Sequence, residues 1–279
     1  MNTFSNSWKL FKASLKVLAA DKELLIFPII SSIGLMIVTA TFALPMFLSG
    51  FFDSMVAGGV QISGFLVLFL FYVVQYTVIF FANTALVGAA MIRLRGGDPT
   101  IGDGLRVAGK HFGPILGYAL IAATVGVILK SLNRKNGLGR MIVSLIGLAW
   151  NIATYLVVPV LALEDVGPIE AIKRSVNYLK RTWGEQIVGG LGLGWIFAAI
   201  YFLALVIFVP VVLLIVSGAE VNLWLLGGVV VLFLLTFSII GLIKATLEGI
   251  YSAAVYQYAV DGQVSGYFDE NLVRGAMRS

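Results

Sequence analysis

The sequence predicts an all-α, polytopic membrane protein. Six transmembrane helices fall into three hairpins, and a basic amphipathic helix lying in the membrane plane precedes each hairpin. Three observations carry this. Of the 279 residues, 59% are hydrophobic and 12% charged, with mean hydropathy +0.99, whereas a soluble domain carries about 25% charged residues. Six apolar stretches are long enough to cross a bilayer core about 30 Å thick. The cations gather in amphipathic segments between those stretches.

The chain starts with one such segment. Phe4, Trp8, Phe11, Leu15 and Leu18 step by four and three residues, with Lys9, Lys12 and Lys16 elsewhere on the helix. Lysines spread to Lys22 do not fit the compact charged start of a cleavable signal peptide. Asp21 can cap the first span, Leu24 to Leu48, whose Pro28 and Pro45 lie near its ends. The link to residue 63 holds Asp53 and no Lys or Arg. The second span, Gly64 to Ile92, contains Gln75 and Asn83.

Asp98-Pro99 predicts an N-cap and a first helical residue. Ile101, Leu105, Ala108 and Phe112 then form a stripe opposite Arg106 and Lys110, and Gly102, Gly104 and Gly109 weaken this second basic helix. The third span is Phe112 to Leu129, followed by a basic link, 130–140. The fourth is Met141 to Leu163, with Asn151 near its middle and Pro159 near its end. Gly167-Pro168 opens the third basic helix. Ile169, Ile172, Val176, Leu179 and Trp183 form its apolar stripe, and Lys173, Arg174, Lys180 and Arg181 occupy other faces. About 16 residues with this charge are too short and too polar to span, and a basic helix with tryptophan on its apolar face suits the interface. The fifth span lies within Ile187 to Val216. The sixth runs from Leu223 to Ile243, its pattern continuing through Lys244 and Glu248 to Tyr258. No proline falls mid-span, so broken helices are not signalled.

These parts read as one membrane domain, 1–279, of three units at about 1–92, 93–163 and 164–260, with a polar tail at 261–279. Phe112-Gly113 and Trp183-Gly184 occupy equivalent places, and Gly113-x3-Gly117 parallels Gly190-x3-Gly194. Fourteen Lys and Arg lie on the side of the termini, Lys244 stands at a span end on that same side, and four, all in the link 130–140, lie on the other. The positive-inside bias therefore places the chain in the cytoplasmic membrane with both termini cytoplasmic. The exceptional link, with Lys130, Arg134, Lys135 and Arg140, either binds anionic groups outside or is overridden by stronger signals, its end residues snorkelling.

No catalytic residue, cofactor site or metal site emerges. The chain has no cysteine and one histidine, His111, which reads as an interfacial polar group. The glycines at 189, 190, 192 and 194 read as helix packing rather than a phosphate loop. Gln75, Asn83 and Asn151 read as buried amides, either bonded between helices or lining a polar path. Lys244 and Glu248 share a helix face at i,i+4 and either mark the inner boundary of the last span or form an intramembrane site. Net charge +5 beside apolar spans points to anionic lipid rather than nucleic acid. Lys9, Lys12, Lys16, Arg106, Lys110, Lys173, Arg174, Lys180 and Arg181 are the candidate headgroup contacts. Partners beyond lipid would be a second copy or other membrane proteins.

Three groups of residues carry a resemblance: Ser7-Trp8 with Asp21-Lys22-Glu23-Leu24-Leu25-Ile26-Phe27-Pro28; Pro159, Leu163-Glu164, Pro168 and Ala171-Ile172-Lys173-Arg174-Ser175 with Trp183-Gly184; and Tyr256-x-Tyr258-Ala259-x2-Gly262 with Phe268. The chain resembles a prokaryotic family of uncharacterised six-span membrane proteins, akin to the membrane domain attached to some glycerophosphoryl diester phosphodiesterases. The resemblance implies fold and topology but no activity. The expected function is a non-enzymatic membrane protein that organises or senses lipid, or serves as a membrane scaffold. The rival is a transporter or channel using Lys244, Glu248 and the buried amides.

Overall fold

A computed structural model describes residues 3–51, 62–132, 137–183, 192–217, 222–262 and 265–268. Among them every regular element is helical: α1 Thr3–Ala20, a 3-10 turn Lys22–Leu25, α2 Ile26–Leu48, α3 Ile62–Leu94, α4 Ile101–Lys110, α5 Phe112–Leu132, α6 Gly137–Ala153, α7 Val157–Leu163, α8 Pro168–Trp183, α9 Gly192–Val216 and α10 Leu223–Asp261. Six segments are long and apolar enough to cross a membrane, with α6 and α7 together making the fourth. The multi-pass membrane class is thus the fold of the protein.

Local chemistry sets the boundaries. Asp21 accepts the Glu23 N–H at 3.2 Å and starts the turn that leads into α2. The start of α4 falls two residues beyond the expected Asp98-Pro99, at Thr100. There the Thr100 hydroxyl accepts the Asp103 N–H, and the Asp103 carboxylate accepts from the Thr100 backbone. This reciprocal capping box satisfies two end groups at once, and Asp98 instead pairs with Arg93. Helix α8 starts at Pro168, as the sequence predicts.

The fourth span corrects the expectation of unbroken helices. It is interrupted between Ala153 and Val157. Pro159 explains the position: it has no N–H to donate to the carbonyl four residues earlier, at Tyr155, and its ring crowds that carbonyl. Within the break the Leu156 N–H donates to Ser175 Oγ of α8 at 3.1 Å. A backbone donor lost to the helix ladder is thereby recovered from the third basic helix, as irregular backbone among membrane spans requires.

Helix α3 is the centre of the assembly, packing on α2, α4, α5, α7 and α10, while α1 packs on α9 and α10. The first basic helix therefore sits against the last hairpin, with Phe11 edge-on to Phe197 at 5.9 Å. The buried core gathers at the end of the spans beside the basic helices, around Phe27, Leu86, Met91, Leu161, Leu247 and Ile250. In the far halves large apolar side chains such as Leu214 and Trp224 are exposed. In lipid such side chains need no protein cover, because hydrocarbon is as apolar as leucine.

The basic helices share one design, and it differs from the expected stripes. At about 100° per residue, α1 first presents a protein-facing sector of Leu10, Ala13, Ser14, Val17 and Leu18. Trp8 and Leu15 follow, open to the surroundings, and then exposed Lys12, Lys16 and Lys9. Helix α8 repeats this in the same rotational order: buried Ala171, Ser175 and Leu179, open Ile169, then exposed Lys180 and Lys173. The buried face is thus turned about a quarter-revolution from the bulky stripe. Small residues let helices approach closely, so Ala and Ser go inward and the larger apolar groups outward. In α4 the open sector holds only Gly102 and Gly109. Its third glycine is required by packing: a Cβ on Gly104 would lie 2.6 Å from the Ala85 carbonyl oxygen and 2.5 Å from the Phe27 ring.

Candidate functional site

The structure brings Glu248 and Asn83 into one groove. A cavity of about 390 Å³, open on one side, lies between α3, α7, α9 and α10. Its polar lining is Asn83, Tyr155, Glu248, Tyr251 and Ser252; Val87, Val158, Leu193 and Ala245 supply apolar wall. Tyr155 comes from the interruption in the fourth span and Val158 from α7. The break therefore shapes the site as well as relieving Pro159.

Lys244 Nζ lies 3.7 Å from Glu248 Oε1, the i,i+4 pair that the sequence predicts, with side chains 37% and 49% exposed. Depth along the helices is fixed by packing. A Cβ on Gly249 would meet Leu86 at 2.4 Å, and Leu86 neighbours Ala85, against which α4 docks. Glu248 thus lies level with the second basic helix. Helix α10, at 39 residues, is about 58 Å long at 1.5 Å per residue, about twice the hydrocarbon thickness. The helix cannot all lie in hydrocarbon. The groove belongs at the boundary between apolar spans and basic helices rather than mid-span.

The other amides lie elsewhere. Gln75 donates to Thr39 Oγ1 of α2 at 2.8 Å, an interhelical bond outside the groove. Asn151 is exposed on α6, which corrects its reading as a buried amide; the adjoining break leaves this face unpacked. Gly194 borders the groove with nothing within 4 Å of where a Cβ would stand, so it packs no helix. Residues 184–191, with the rest of that glycine cluster, lie outside the described residues, as do 52–61, Arg134, Lys135 and 269–279. In the basic link, Lys130 donates to the Tyr72 hydroxyl at 3.3 Å.

The candidate cations divide. Lys9, Lys12, Lys16 and Lys180 are exposed, with the Lys12 ammonium 5.5 Å from the Trp8 ring centre. Lys173 is exposed 4.0 Å from Glu170, and Arg106 exposed 3.2 Å from Asp103. The Arg181 side chain lies outside the described residues. Lys110 donates to Asp165 at 3.2 Å and buried His111 sits 3.5 Å from the same carboxylate. The Lys110 hydrogen bond and charge hold the Asp165 carboxyl below the usual range; Thr100 does the same for Asp103.

Arg174 differs from the others, and with it comes a centre that sequence reasoning missed. Glu164, 12% exposed, pairs with Arg174 through one oxygen; the other accepts the hydroxyls of Tyr178 at 3.0 Å and Tyr256 at 2.8 Å. Glu170 adds a contact to Arg174 at 3.4 Å. Glu164 raises the pKa of Arg174, and burial, with the bond to Glu164, raises that of Tyr178. One carboxylate therefore ties the end of α7 to α8 and α10. Among the described residues no three His, Asp or Glu side chains converge as a metal site.

Residues 62–267 match a family of unknown function (DUF6159). Neither a curated protein nor a solved structure matches the chain. The expected kinship with the membrane domain of glycerophosphoryl diester phosphodiesterases finds no support in these comparisons.

Proposed function

The chain belongs to this family of unknown function, which supplies no activity, and from the geometry we propose that it is a non-enzymatic protein of the cytoplasmic membrane that binds and organises anionic lipid. Both termini are cytoplasmic, and the three basic helices lie flat on the inner leaflet. The observation that carries this is the shared sector order of α1 and α8. Each presents a packed face, an open apolar face and an exposed cationic face in the same rotation. A helix held edgewise by its packed face can dip Trp8, Leu15 or Ile169 into the acyl boundary and hold lysines at headgroup level.

Purified protein should bind vesicles containing phosphatidylglycerol over vesicles of phosphatidylcholine, and added salt should erase the preference by screening. Replacing Lys9, Lys12, Lys16, Lys173 and Lys180 by Gln should remove it. Equal binding to both vesicles, or a preference untouched by salt, overturns the proposal.

A second reading has its own observation: an interrupted span lines the groove that holds Glu248, and many transporters bind a solute at interrupted helices, there near mid-span. Reconstituted liposomes decide it. Solute or ion flux abolished by Glu248→Ala or Lys244→Ala would favour transport; no flux above protein-free vesicles would remove it.

A further inference from the structure

A second opening lies on the same stripe of α10 as Glu248. It encloses about 370 Å³ between α9 and α10 and is lined only by apolar side chains, among them Phe208, Val212, Val230, Phe233 and Leu234. Val230, Leu234, Phe237, Gly241, Ala245 and Glu248 recur at spacings of three and four, so they share one helix face. Tyr201 of α9 bridges the interval. Its ring lies 5.1 Å from that of Phe237, and its hydroxyl would stand 3.4 Å from a Cβ on Gly241. The α9–α10 seam thus runs from a charged end through an aromatic middle to an apolar end. From Ala245 to Leu234 is about 16 Å along the axis, close to half of a hydrocarbon core about 30 Å thick. The charged end lies level with α4, where the interface belongs. One leaflet of lipid has this length and this order of polarity.

The charges choose the headgroup. Glu164, Asp165 and Asp21 are each engaged by a cation from another segment: Arg174, Lys110 and Arg93. Lys244 and Glu248 pair across a single helix turn, among the described residues with no third charged side chain, and their side chains stay 37% and 49% exposed. A cation alone would favour an anionic headgroup. An ammonium and a carboxylate side by side fit a headgroup that carries both signs. Glu248 lines the groove, and Lys244, one turn earlier, stands beside the lining rather than in it. The amine would meet Glu248, beside the Tyr251 ring, whose face attracts ammonium groups, and the phosphate would meet Lys244 at the rim. The Asn83 amide and the Ser252 hydroxyl offer hydrogen bonds from the same wall.

We propose that this groove holds one zwitterionic phospholipid of the inner leaflet, its amine on Glu248, its phosphate on Lys244 and an acyl chain along the α9–α10 seam. The inference goes beyond the proposed binding of anionic lipid by the basic helices: it places one zwitterionic molecule at a separate, named site.

Native mass spectrometry of the full chain tests it, with phosphatidylethanolamine, phosphatidylglycerol and water-soluble phosphoethanolamine added in turn. We expect one phosphatidylethanolamine per chain, retained at high salt and about tenfold better than phosphatidylglycerol, with free phosphoethanolamine bound far more weakly. Glu248→Gln and Lys244→Gln should each lower that retention about tenfold while leaving the melting temperature and the salt-sensitive vesicle binding of α1 and α8 unchanged. Leu234→Trp, which fills the apolar end, should weaken the diacyl lipid without altering the charged pair. Equal retention of the two lipids, equal binding of free phosphoethanolamine, or full retention in all three variants overturns the site. Loss of vesicle preference with intact stoichiometric retention would instead sink only the proposed role of the basic helices.

Discussion

Glu164 shows how much one side chain can hold. It is nearly buried and answers an arginine and two tyrosine hydroxyls from two other helices. Glu164→Ala removes the acceptor shared by both tyrosine hydroxyls and leaves Arg174 with Glu170, and a loss of about 2–3 kcal/mol is expected. Tyr256→Phe removes one neutral donor and should cost about 1 kcal/mol. Thermal melts in detergent would rank the two; equal effects would mean that Glu164 is not the centre of the cluster. None of this was legible beforehand, because the partners lie 10, 14 and 92 residues away and no helical spacing joins them. The Lys244–Glu248 pair was legible, since i,i+4 neighbours on a helix must meet. Asn151 misled for a related reason: an amide among apolar residues reads as buried, yet a face turned away from the bundle leaves it open.

Among elements, the apolar spans were readable to within a few residues because composition and bilayer thickness fix them. The break before Pro159 was not. Proline acts on the carbonyl four residues earlier, and the group that rescues the freed Leu156 N–H is Ser175, 19 residues on. Ser175→Ala should orphan that buried donor, cost about 1–3 kcal/mol and speed hydrogen exchange at 154–157, while Ser175→Thr should keep the bond. Unchanged exchange in the alanine variant would show that the break supports itself. The basic helices were readable as helices, but their inward faces were not. Bulk suggested Trp8 and Leu15, whereas close approach selects Ala13, Ser14, Ala171 and Ser175.

For the whole molecule the prediction is orientation. The chain has no cysteine, so single substitutions give clean labels. In intact cells an impermeant thiol reagent should modify Ser217→Cys, beyond the far end of α9, and spare Asn177→Cys on α8; the reverse pattern would invert the topology. The helices also do not pack in chain order. Helix α1 is made well before α9 and α10, yet it packs on them. At roughly 5–20 residues per second, synthesis leaves about ten seconds or longer between them. During that interval the part of α1 that meets the last hairpin lacks those partners. The surface of the inner leaflet, on the function proposed above, would give it a place to wait, and its packing on the last hairpin closes only once α9 and α10 have emerged.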